Sequence, residues 1–143
     1  YNYVLLDGRR ITSTQRNRGR NFGSCLIYSE FNEEGFAGEL QIIFKHSQDG
    51  VSSSSQTLFG FVRWMKRSMM TPLTSNQFIW DDFPELGIET WEYNAFAPQD
   101  DPEYPPVVLP IERIKCQVAR GVFRTRPRMW VTTTLDRVLC RLV

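Results

Sequence analysis

The sequence is short of the residues that most enzyme chemistry needs. It has one histidine, His46, and three widely spaced cysteines, Cys25, Cys116 and Cys140, with no Cys-x-x-Cys pair. A closed structural zinc site takes about four ligands, so none is expected and no cofactor is read. An odd set of separated thiols does not make a disulfide framework; buried thiols in a reducing compartment fit better. A serine nucleophile needs a base within reach and a third group to orient it, and a lone histidine at what reads as a strand exit supplies neither pairing. GxGxxG and P-loop patterns are both missing, which leaves no readable nucleotide site. No apolar run approaches the ~18 residues of a membrane helix, and no secretory leader is read. Long amphipathic helical periodicity is absent as well. The chain opens on Tyr1 and not on Met, as a piece cut from a longer protein would.

What is present is aromatic and segregated in charge. Over 143 residues, 41% hydrophobic and 13% aromatic content marks a globular chain, expected to form a single domain over 1–143. Ten Phe and four Trp supply most of the material for a core. The net charge of +1 hides blocks. Residues 1–20 hold five Arg against one Asp, residues 81–103 hold eight acidic residues and no Lys or Arg, and residues 110–143 hold eight basic against two acidic. Such ends would meet an acidic polymer, or fold back on the acidic block.

Short strand-like runs separated by turn signals fill the chain. Tyr3–Leu6 and Arg9–Thr14 flank Asp7-Gly8, a strong hairpin signal. A polar loop, Gln15–Asn21, precedes a strand over Ser24–Phe31 and a turn at Asn32–Gly35. Glu39–Lys45 alternates, which places Leu40, Ile42 and Phe44 on one face. The serine run Ser52–Ser55 is expected to link it to Gln56–Met65 in a long-tipped hairpin. Within that second strand, Leu58-Phe59-Gly60-Phe61-Val62 leads into Trp64, expected as the core anchor. A helical turn at Ser68–Met70, an extended Phe78-Ile79-Trp80, a turn over Asp82–Gly87 and a strand over Ile88–Tyr93 follow. Four prolines between Ala97 and Pro106 exclude a helix or central strand and predict an exposed acidic loop. Ile114–Val118 alternates, Gly121 is expected to interrupt, and Met129–Val138 reads as a further strand. Many short strands with frequent turns argue for an all-β barrel or orthogonal sandwich.

Two stretches resemble a BAH (bromo-adjacent homology) domain. Val62-Arg63-Trp64-Met65-Lys66-Arg67 is similar to that family's Val-x-Trp-aromatic-x-Arg-Pro strand, with Met65 in place of the aromatic and Ser68 in place of Pro. Ile114-Lys115-Cys116-Gln117-Val118 resembles its Lys-Cys-x-Val strand, without the usual preceding Gly, and Gln77–Trp80 resembles its extended element. The likeness spans about half the chain, Leu40 to Val118. It implies a partly open β-barrel, with short helical turns and the long acidic Pro-rich loop, acting in the nucleus as a non-catalytic chromatin module for histone tails or other protein partners. The opening, with Ile11–Thr14 and Phe22-Gly23, is also similar to β-domains of fungal transposon-encoded proteins, which implies a transposon-derived DNA-binding context.

Candidate sites follow from charge and rings. Trp80, Trp91 and Tyr93, with Asp100, Asp101 and Glu103, would form an aromatic and acidic site for a basic peptide, since a cation is drawn to a ring face. Arg16, Arg18 and Arg20 alternate in one segment, and Arg124, Arg126 and Arg128 in another. On a strand, alternation puts guanidinium groups on one face about 7 Å apart, suited to a nucleic-acid backbone; the same pattern also guards an edge strand from aggregation. The adjacent carboxylates Asp81-Asp82 and Asp100-Asp101 read as solvated or turn-forming groups. A structural or assembly role, in which the charge blocks pair, is the third reading.

Overall fold

The computed structural model describes residues 1–15, 22–47, 57–68, 82–124 and 128–135. Nine strands run through them: β1 (Tyr3–Leu6), β2 (Arg9–Thr12), β3 (Leu26–Phe31), β4 (Glu34–His46), β5 (Thr57–Arg67), β6 (Glu89–Phe96), β7 (Val108–Pro110), β8 (Cys116–Phe123) and β9 (Met129–Thr134). Among the described residues the helical elements are 3-10 turns at Phe22–Cys25, Pro84–Leu86 and Ile111–Arg113. Six strands close a ring of antiparallel pairs in the order β4, β3, β8, β9, β6, β5 and back to β4. Closure leaves few unpaired strand edges. The Ser68–Met70 turn, Phe78–Trp80, the serine run, Cys140 and the segment past Leu135 lie partly or wholly outside the described residues.

Local chemistry sets the hairpins. Asp7 and Gly8 take φ of 48° and 76°, and Leu6 pairs with Arg9, so the turn has two residues and both need positive φ. Asn32 and Glu33 do the same between β3 and β4, at 49° and 65°, with Phe31 opposite Glu34. The expected strict alternation in β4 fails at one point. A bulge between Leu40 and Ile42 shifts the phase, so Ile43 is buried and Ile42 is exposed. Gly121 does not interrupt β8; it sits mid-strand opposite Val131.

Apolar clusters lie on both sides of the ring wall. Leu26, Ala37, Met65, Trp91, Val118 and Trp130 form one buried cluster within the ring. A second cluster packs on the outer face of β4 and β5: Phe36, Leu40, Ile43, Val62 and Trp64 meet Val4 and Ile11 of the β1–β2 hairpin and Leu109, Ile111 and Ile114. Gly38 leaves the room that this outer cluster fills, since a Cβ there would stand 2.6 Å from Val62 Cγ1 and 2.8 Å from Trp64 Cε3.

β5 is the hub. It pairs with β4 from Thr57 to Trp64, and on its other edge with β7 at Phe59–Phe61 and with β6 at Met65 and Arg67. Between those two partners the segment after β6 takes over. Val62 N–H donates to Val107 O at 2.7 Å, Ala97 N–H to Trp64 O at 2.9 Å, and Trp64 Nε1 to Pro106 O at 3.1 Å. The loop expected over Ala97–Pro106 is exposed over most of 98–103, but its two ends are tied along β5, with Pro105 buried and Tyr104 packed on the outer core.

Candidate functional site

The tie just described builds one wall of a groove. Asp101 N–H donates to Pro98 O at 3.4 Å and Tyr104 N–H to Asp101 O at 3.2 Å, giving two successive turns. Asp at the first position and Pro102 at the second suit the second turn, and Asp101 Oδ1 also accepts from Glu103 N–H at 3.0 Å. These turns present Asp101 and Glu103 towards Phe31, Asn32 and Glu34 at the β3–β4 turn. Phe36, Tyr104, Lys66 and Arg67 complete a groove of about 600 Å³.

Its floor is aromatic. The Phe36 ring lies 5.5 Å from that of Tyr104 and 6.4 Å from that of Phe31. Arg67 crosses the floor and is held from several sides. Its backbone N–H donates to Tyr104 Oη at 2.9 Å, its Nη2 donates to Gly35 O at 2.6 Å, and Glu34 Oε2 stands 3.4 Å away. The guanidinium lies over the Phe36 ring at 4.5 Å and nearer the ring's interior over Trp91 at 5.4 Å. Lys66 pairs with Glu92 at 3.2 Å. Both cations of the groove thus have acidic partners of their own, whereas among the described residues no Lys or Arg pairs with Asp101 or Glu103.

Two carboxylates lie deeper, Glu39 buried and Glu89 half-buried. Glu39 accepts from Arg63 Nη2 and Arg120 Nη1, each at 2.8 Å. Burial alone would raise its pKa, but these two bonds overcome it and hold the carboxyl below the usual range. Glu89 has no such pair of donors; its Oε2 is buried without a hydrogen-bond partner, as is Arg67 Nε. Desolvation pushes Glu89 upward, with Arg67 opposing. Tyr28, on the same side of the ring, is raised by burial and then by Glu89 and Glu30.

The expected site residues scatter. Asp101 and Glu103 line the groove, and Asp100 is exposed beside it. Trp91 corrects the expectation of an exposed aromatic cage: it is 0% exposed and donates Nε1–H to Thr132 Oγ1 at 2.8 Å inside the ring. Tyr93 is 39% exposed, but it packs on Trp130 and under Arg128, away from the acidic groove. Trp80 lies outside the described residues, as do Arg16, Arg18, Arg20 and Arg126. Arg124 and Arg128 do not alternate along one strand. They stand at the facing ends of β8 and β9, just beyond the paired Phe123 and Met129, because the two strands are antiparallel. His46, at the end of β4, rests edge-on against Phe59 at 6.3 Å. Cys25 and Cys116 are buried thiols.

Phe31, Glu34, Phe36, Lys66, Arg67 and Tyr104 were not read as site residues. The Asn32-Glu33 turn was a usable signal for Phe31 and Glu34, since a two-residue hairpin places its flanking residues side by side at one end of the ring. Nothing local ties that end to Tyr104. No protein-family model matches this chain, and neither a curated protein nor a solved structure matches it.

Proposed function

We propose that this domain is a non-catalytic recognition module whose groove binds an extended basic segment of another protein, of the kind a histone tail presents. The observation that carries this is the placing of Asp101 and Glu103, without a basic partner among the described residues, over the Phe31–Phe36–Tyr104 floor. A lysine or arginine stem would lie on the rings while its charged head meets the carboxylates, combining apolar contact, cation–π attraction and charge pairing. The resemblance of Val62–Arg67 and Ile114–Val118 to a BAH domain supports the same reading and adds a chromatin-associated, nuclear setting.

The test is fluorescence anisotropy with a short Lys/Arg-rich peptide and a Glu-rich control. The basic peptide binds and the control does not, and Asp101→Asn with Glu103→Gln weakens binding about tenfold, the equivalent of about 1.4 kcal/mol. Unchanged affinity in that double variant, with its melting curve intact, sinks the proposal.

A further inference from the structure

A different part of the ring gathers guanidinium groups on aromatic rings. Arg63 Cζ stands 3.7 Å over Phe96, Arg120 Cζ 4.2 Å over Trp130, and Arg128 Cζ 5.9 Å over Tyr93. The rings touch in series, Phe96 to Trp130 at 5.4 Å and Trp130 to Tyr93 at 5.8 Å, both edge-on. This string joins β5, β6, β8 and β9, whereas the groove is built from the β3–β4 turn, the end of β5 and residues 98–104. Its two ends reach solvent: the Arg63 side chain is 50% exposed, Tyr93 is 39% exposed and Arg128 is exposed. Arg124, at the facing end of β8, is exposed too, as is Val122.

The charge balance is positive. Glu39 is shared by Arg63 and Arg120, so one carboxylate answers two guanidinium groups. Glu92, next to Tyr93, is engaged by Lys66. Arg124 and Arg128 have no acidic partner among the described residues. A guanidinium stacked on a ring is already partly ordered, so its free N–H groups meet a phosphate at little further loss of side-chain freedom; Arg63 gives Nη2 to Glu39 and keeps its other N–H groups. An exposed ring among such groups is a stacking platform for an unpaired base. Duplex DNA hides its base faces, so the exposed Tyr93 ring favours a single strand over a duplex.

We propose that the face formed by Arg63, Tyr93, Arg124 and Arg128, backed by Phe96 and Trp130, binds single-stranded nucleic acid, with guanidinium groups on phosphates and one base on Tyr93. Three exposed cations at a single-strand slope give a fall of about twentyfold in affinity between about 50 mM and about 200 mM salt.

The experiment is anisotropy of the 1–143 chain with labelled oligo-dT, a duplex of the same length and a Glu-rich peptide, at both salts. Oligo-dT binds more tightly than either other ligand and shows that salt response. Tyr93→Ala weakens it about fivefold or more, and Arg128→Ala does likewise. Lys115→Ala, which removes an equal charge paired to Glu30 elsewhere, leaves it within about twofold. Duplex binding as tight as single-strand binding overturns the proposal. So does a Glu-rich peptide that binds equally well, a Tyr93→Ala variant with unchanged affinity, or a Lys115→Ala variant that loses as much as Arg128→Ala.

Discussion

Glu39 and Glu89 lie in one ring of strands and take opposite positions on charge. Glu39 is ionised between two arginines, and its folded-state pKa is depressed below the ordinary 4.5. The stability it contributes is therefore present above that ordinary value and is lost as pH falls through its depressed pKa. Glu89 is raised, so its contribution is complete below 4.5 and is lost as pH rises from there through its folded-state pKa. The same substitution should act with opposite sign at the two sites. At neutral pH, Glu39→Gln lowers stability by about 2–3 kcal/mol; a fully buried broken pair costs about 3–5 kcal/mol, and Arg63 is half exposed. Glu89→Gln raises the melting temperature, by no more than about 3 °C because the group is only partly desolvated. Melting curves across the acid range check both, and each difference from the parent protein shrinks as pH falls. A lowered melting temperature for Glu89→Gln at neutral pH contradicts the assignment. Neither role was legible beforehand. Glu39 reads as the polar face of an alternating strand, and only ring closure turns that face inward onto Arg120 of β8.

At the scale of elements, the acidic, proline-rich segment behaves as a strap and not as a free loop. Its hydrogen bonds to Val62 and Trp64 complete the edge of β5 between β7 and β6, and a further one reaches the Arg67 amide. Tyr104 supplies the last of them and also one wall of the groove. Tyr104→Phe leaves the Arg67 N–H without its acceptor, at about 1–2 kcal/mol. Hydrogen exchange at the Arg67 amide should quicken about tenfold or more, while amides in β8 and β9 keep their protection. Equal protection in the variant means that the strap is not held by this bond. Prolines correctly excluded a helix here, and Asp-Pro marked a turn. Adhesion to β5 was not readable, because it depends on backbone groups that every residue carries.

At the scale of the whole molecule, segregated charge has two possible uses, pairing within the fold or contact with a partner. Residues 1–20, 81–103 and 110–143 carry blocks of one sign, and pairing among them was one expectation. Among the described residues the ion pairs are local or cross-strand: Lys66 with Glu92, Arg67 with Glu34, Lys115 with Glu30, and the Glu39 triad. None joins Asp100, Asp101 or Glu103 to an arginine. The exposed pairs are each worth little, and the buried triad is poorly screened. Raising salt from about 0.05 M to about 0.5 M should therefore move the melting temperature by no more than about 5 °C. A larger fall in differential scanning calorimetry restores an assembly role in which the blocks hold the fold.

Sequence alone determined what short-range physics controls. Asp7-Gly8 made a hairpin because both positions need positive φ, Trp64 was buried because it sits in an apolar strand, and strands prevailed because β-branched and aromatic residues alternate between turns. Tertiary structure decided the rest. A bulge reversed the phase of β4, ring closure buried Trp91 and the carboxylate of Glu39, and the β8–β9 reversal set Arg124 and Arg128 at the facing ends of two strands instead of in one row. It also brought Asp101 and Glu103 to Phe36, and Arg63 and Arg128 to one string of rings that includes Tyr93. Each of these depends on which strands are neighbours, a matter of contacts between residues far apart in the chain. Local pattern carries no record of such contacts.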